Sequence, residues 1–196
     1  MKRVYIFFIA LYIASGSVAK LPVTIFSIGA ATVEETTFDE ARDLFGNAKD
    51  YELKEGAATN DRLICYFYSK NGEKAFLVFF TSDMGGETHT ILGFRLTLIN
   101  PRIEHQQVEC YPTQINLFSL ETSNGIKLGQ SVNEFKTNTP VPFKKKEGIF
   151  VYEQVKKIHP DWPKFDDEFW YEYSTIKAQF KNDKLINLEA SQITSN

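Results

Sequence analysis

Asn124-Gly125-Ile126-Lys127-Leu128-Gly129-Gln130-Ser131-Val132-Asn133-Glu134-Phe135 reads as a helix start with full punctuation. Ser131 stands at the cap. Glu134, three residues on, is placed to reach back to the Ser131 backbone N–H, so that donors left bare by a helix start are satisfied in both directions. Leu128 and Phe135 flank the cap as packing partners. Thr37-Phe38-Asp39-Glu40 has the same S/T-x-x-E form and is followed by Ala41, Leu44 and Phe45. Each copy precedes a set of alternating apolar runs. The expected fold is therefore α+β, with two tandem helix-then-antiparallel-meander repeats over residues 20–101 and 124–196 and a connector over 102–123.

The first helix is expected from Phe38 to Phe45, where Phe38, Ala41, Leu44 and Phe45 recur at helical spacing. Gly46 and Asn47 are natural stops. Asp39, Glu40 and Asp43 place negative charge in its first turns, where the helix dipole favours it. Leu21 to Ala31 reads as an extended apolar segment and Asp50 to Asp61 as a polar loop. Strands are expected over Arg62 to Ser69 and Lys74 to Thr81, with Asn71-Gly72 as the tight turn between them. Thr90 to Ile99 follows as a third strand. There Leu92, Phe94, Leu96 and Leu98 alternate with Gly93, Arg95 and Thr97, the period of a sheet with one buried and one wet face. A further strand is placed near Asn116 to Glu121. In the second half a short helix starts at Val132 and ends before Pro140 and Pro142. Strands are expected over Gly148 to Val155, Glu168 to Phe180 and Leu185 to Ser191, with a turn at Lys181 to Lys184.

Residues 1–19 have the form of a signal peptide. Lys2 and Arg3 are a basic start, Val4 to Ala14 an apolar run and Ser17-Val18-Ala19 a small-residue cleavage pattern, so cleavage is expected after Ala19. The apolar run is short for a membrane span, and no stable membrane anchor is expected once it is removed. A periplasmic or secreted location follows. Removing Lys2 and Arg3 leaves 20 basic against 25 acidic residues, a net charge near −5. That balance lacks the electrostatic footprint of a nucleic-acid binder. Lys144-Lys145-Lys146 reads as a solvated loop. Cys65 and Cys110 are the two cysteines. An exported chain permits a disulfide between them, while a buried free thiol is the alternative for Cys65, which lies in an apolar strand.

The run Gly125-Ile126-Lys127-Leu128-Gly129-Gln130-Ser131, followed by Glu134-Phe135, resembles the G-x-x-x-G-x-S/T-x-x-E-apolar start of BLIP-like (β-lactamase-inhibitor-protein-like) and SmpA/OmlA (BamE-like) tandem α+β modules. The first half matches more loosely, through Thr37 to Gly46. The resemblance covers about two thirds of the mature chain. It departs where such modules often end their helix with Leu-Gly-x-Pro; here Asn138-Thr139-Pro140 stands instead. The resemblance implies a curved sheet with helices on one side. It also implies a binding or assembly role rather than catalysis, and it transfers no contact residue.

Chemistry leaves few marks. His89, His105 and His159 lack the H-x-x-x-H and H-E-x-x-H spacings of a zinc site. No G-x-S-x-G and no phosphate-cradling glycine loop occurs. No cofactor is expected. Asp166, Asp167, Glu168 and Glu172 form the densest acidic run, and Asp166, Asp167 or Glu172 would serve a carboxylate-dependent exported hydrolase if a second carboxyl stood opposite. A solvated loop is the plainer reading. Trp162, Phe165, Trp170, Tyr171 and Tyr173 are the expected partner-binding residues, because both tryptophans of the chain lie here among tyrosines, and Trp and Tyr dominate protein interfaces. Packing over the sheet is the competing reading of the same rings. Together these features point to an exported, non-catalytic module that binds a protein of unknown identity.

Overall fold

Both capping boxes form as spelled. In the structure, a computed structural model describing residues 26–52, 61–103, 106–139, 141–158 and 170–195, Thr37 Oγ1 accepts the Glu40 N–H at 3.3 Å and Glu40 accepts the Thr37 N–H at 2.8 Å. Ser131 and Glu134 repeat the exchange at 3.2 and 2.8 Å. They start helix α1 (Phe38–Phe45) and helix α2 (Val132–Asn138). Each ends after about two turns. Gly46 leaves α1 at φ 104°, a backbone state that side-chain-bearing residues rarely adopt. Thr139, which precedes Pro140, is extended at φ −131° and ψ 77°.

The expected class is overturned. The protein is mostly antiparallel β, not an α+β chain of two helix-then-meander repeats with a BLIP-like curved sheet. Helices of eight and seven residues are minor features beside one nine-stranded sheet. Its strands are β1 (Tyr51–Glu52), β2 (Arg62–Lys70), β3 (Glu73–Thr81), β4 (Gly93–Thr97), β5 (Tyr111–Pro112), β6 (Lys144–Lys146), β7 (Ile149–Ile158), β8 (Trp170–Lys181) and β9 (Lys184–Ser195). They lie in the order β6-β7-β8-β9-β4-β3-β2-β1, with β5 parallel to β2. The physical reason is edge pairing. A separate meander in each half would leave β4 and β9 with bare edges. Instead β9 hydrogen-bonds to β4 from Asn187 opposite Thr97 to Ser191 opposite Gly93, and the halves share a single sheet.

The local turn chemistry behaves as read. Asn71 and Gly72 take φ 52° and 82°, and Asn182 and Asp183 take φ 51° and 59°, the paired positive values of a tight hairpin. Other expectations shift. Lys144–Lys146 is not a loop but a short, exposed edge strand. Residues 116–121 form no strand; Asn116 turns the chain by accepting the Phe118 N–H through its side chain. Between β8 and β9 the register slips at Gln179/Phe180. Leu185 and Leu188 are consequently both buried, while Ile186 is not. Leu44 and Leu98, expected on buried faces, are exposed.

Alternation along the strands separates two faces. One cross-strand row runs Tyr152, Ile176, Ala190, Phe94, Phe79, Ile64, and every member is buried. On this face α1 places Phe45 5.3 Å from Phe79, and α2 places Phe135 5.5 Å from Phe180, ring centre to ring centre. The adjacent row on the other face runs Val151, Lys177, Glu189, Arg95, Val78, Cys65. Its composition changes from apolar to charged across the sheet, and this row sets up the site.

Candidate protein-binding face

At the β2 end the second face is covered. Leu63, Cys65, Phe76 and Val78 pack with Val108, and Cys65 is joined to Cys110 by a disulfide. The bond expected from the sequence is present, and neither thiol is free.

Toward the middle of the sheet the cover ends, and a groove of about 580 Å³ opens over β4, β9 and β8. Its floor is an ion network. Glu189 accepts from Arg95 Nε at 2.8 Å and Nη2 at 2.5 Å through one oxygen, and from Lys177 Nζ at 2.9 Å through the other. The Glu189 side chain is only 14% exposed. Burial pushes its pKa up, but the Arg95 and Lys177 charges outweigh that and hold it below the ordinary value of 4.5. Ile99, Ile149 and Arg102 form the walls. With Arg95, Lys177 and Arg102 against Glu189, the groove is locally positive on a chain of net negative charge. None of these residues carries a local sequence signal. Arg95 and Glu189 are 94 residues apart and meet only through the register of β4 with β9.

Beyond the groove the far end of the same face is open and apolar. Val155, Tyr173 and Ile193 lie in one cross-strand row, and Tyr171 lies in the next row of that face, opposite Lys157 and Ser195. Val155 is 59% exposed, Tyr173 45% and Tyr171 38%. The two tyrosine rings sit 6.4 Å apart and tilted by 43°. Three partly exposed apolar side chains gathered on one face form a contiguous patch, the kind of surface that can mark an interaction site.

The structure therefore divides the expected partner-binding residues. Tyr171 and Tyr173 come together. Trp170 is half-buried on the opposite face, paired with Ile158. Trp162 and Phe165 lie outside the described residues, as do Asp166, Asp167, His105, His159 and residues 1–19, expected as a signal peptide. Glu172 shares the face of Trp170, where its charge and, more strongly, burial raise the Tyr152 hydroxyl pKa. Val155 carries no signal in the sequence, because a lone valine among Glu153, Gln154, Lys156 and Lys157 has no distinguishing pattern. Among the described residues, no three His, Cys, Asp or Glu side chains gather as a metal site. No described helix is long and apolar enough to cross a membrane. Comparison with protein-family models, curated proteins and solved structures finds no match.

Proposed function

We propose that the chain is an exported, non-catalytic module that binds another protein through the open face of its sheet. The observation that carries this reading is the exposed set Val155, Tyr171 and Tyr173 on a face that is covered at its other end. Tyrosines present large area at low entropic cost and dominate interface energetics. The positive groove beside them favours a partner that brings an acidic side chain next to apolar ones. The Cys65–Cys110 disulfide fits an oxidising compartment, periplasmic or extracellular.

The test is capture from the exported fraction with a photo-crosslinking residue placed at Tyr173, with a second placed at exposed Lys70 as control. One partner is expected at position 173 and not at 70. Capture should fall when Tyr171 is replaced by Ala or Arg95 by Glu. Equal labelling from both positions, or capture indifferent to both substitutions, would remove this face as the binding site.

A further inference from the structure

The pairing register places two further lysines on the groove face. Lys144 stands opposite Val151, whose row continues through Lys177, Glu189 and Arg95. Lys146 stands opposite Ile149 of the groove wall. Directly paired residues point to the same side of a sheet, so a basic stripe crosses the sheet from β6 to β4. Resting on the binding reading above, we propose that the part of the partner laid on this stripe is an acidic peptide segment, its carboxylates interleaved with apolar side chains.

The first support is charge. Lys144, Lys146, Lys177, Arg95 and Arg102 line the stripe and its groove against Glu153 and Glu189, on a chain whose 25 acidic residues outnumber its 22 basic ones. Both carboxylates are already engaged. Glu153 meets Lys146 at 3.9 Å, and Glu189 is shared by Arg95 and Lys177. Positive charge is therefore in excess here, and it is accessible: the Lys146 side chain is 62% exposed, Lys177 45% and Arg95 41%. Glu189 also fixes where two of the cations stand. It uses Nε and Nη2 of Arg95, out of five N–H donors, and one of the three on Lys177. A carboxylate arriving from outside meets a pair already held in place, so less side-chain freedom is lost on binding.

Shape and apolar content select a polypeptide among anions. The cluster of Arg95, Glu189 and Lys177 forms the groove floor, below walls of Ile99, Ile149 and Arg102. A flat anionic surface such as a membrane rests on walls and does not reach a floor. An anionic polysaccharide brings charge but no apolar side chain for Ile99, Ile149 and Pro101. An acidic peptide supplies both, one residue at a time. The stripe also attracts such a segment from a distance and so speeds the encounter.

The test uses a fluorescent peptide of three Glu-Glu-Leu repeats, titrated with the disulfide-intact chain and followed by anisotropy. Binding is expected although the chain itself is net negative. It should weaken at least tenfold between about 0.1 M and about 1 M salt, as the screening length shrinks from about 10 Å to about 3 Å. Lys144→Glu with Lys146→Glu alters only exposed side chains of the short strand β6 and should weaken binding about tenfold. Arg95→Gln should act in the same direction, and Lys70→Glu, exposed at the far end of β2, should change nothing. Replacing the leucines by serine should also weaken binding. No binding, binding indifferent to the Lys144 and Lys146 exchange, or displacement of the peptide by heparin or phosphatidylglycerol vesicles at matched charge would overturn the proposal. A partner captured at Tyr173 with no peptide bound removes the acidic segment and leaves the binding face standing. A peptide bound as described with nothing captured at Tyr173 does the reverse.

Discussion

The two long edges of the sheet are finished in opposite ways. Along β2 the edge is closed by β1 opposite Arg62 and Leu63, by β5 opposite Tyr66 and Phe67, and by Thr113, whose N–H reaches the Phe67 carbonyl at 3.0 Å. The disulfide at Cys65 clamps this cover in place. Along β7, strand β6 pairs with Ile149 to Val151. The difference follows from what each strand carries. In β2, Leu63 and Cys65 on one face and Ile64 and Tyr66 on the other are all buried, so both faces need cover. In β7, Glu153, Gln154, Lys156 and Lys157 tolerate water, and the lysines keep stray strands away. One edge is apolar and cross-linked; the other is polar.

The largest effect expected on this contrast comes from Cys65→Ala with Cys110→Ala. The bond spans 45 residues, and releasing a loop of that size should cost about 4 kcal/mol in urea unfolding. Amide exchange should quicken at β2 and β5 while β8 keeps its protection; uniform quickening would mean the edges are not independent. Next is Gly93→Val at the seam. A Cβ there would lie 2.3 Å from the Phe80 ring and 2.8 Å from the Ala190 carbonyl oxygen, so a destabilisation of about 1–3 kcal/mol is expected. Thr37→Ala under the closed end and Ser131→Ala under the open end should each cost about 1 kcal/mol. Matched losses in thermal denaturation would show that the two ends differ in their edges and not in their helix caps.

Glu189 gives a pH signature at the seam. Its pKa is depressed in the folded chain, so its stabilising effect is present above the unfolded-state value near 4.5 and fades as pH falls through the lower folded value. The stability gap between the native chain and Glu189→Gln should therefore be open at neutral pH and close in acid. A gap that persists well below pH 4.5, the ordinary value, would show that the carboxylate charge is not what Arg95 and Lys177 hold. The smallest expected change is in the stability of Tyr171→Ala and Tyr173→Ala, within about 0.5 kcal/mol of the native chain, because both residues lie on the exposed face outside the packed core. A larger loss would make these rings part of the packed structure, not of a presented surface.

What could be read in advance was local. Asn71-Gly72 announced its hairpin, Thr37 and Ser131 announced their helices, and the expected export permitted a bond between Cys65 and Cys110. A capping box, however, marks where a helix begins and not how far it runs. That is why the helices received more weight in the fold class than their eight and seven residues justify. The joining of β4 to β9 was invisible because Phe94 and Ala190 face each other across most of the chain, with no nearby residue to signal it. The candidate site inherits the same blindness. Tyr171 and Tyr173 could be nominated from composition, whereas Arg95 with Glu189, and Val155 with Tyr173, exist only as cross-strand neighbours.

That seam also sets a timetable. β9, at the centre of the sheet, is synthesised long after β4 (Arg95 and Glu189 lie 94 residues apart), so β4 waits with a bare flank through that stretch. Contacts so distant along the chain close slowly. Newly delivered molecules should therefore dwell as half-sheets, open to holding factors, until Asn187 to Ser191 arrive and zip the halves together.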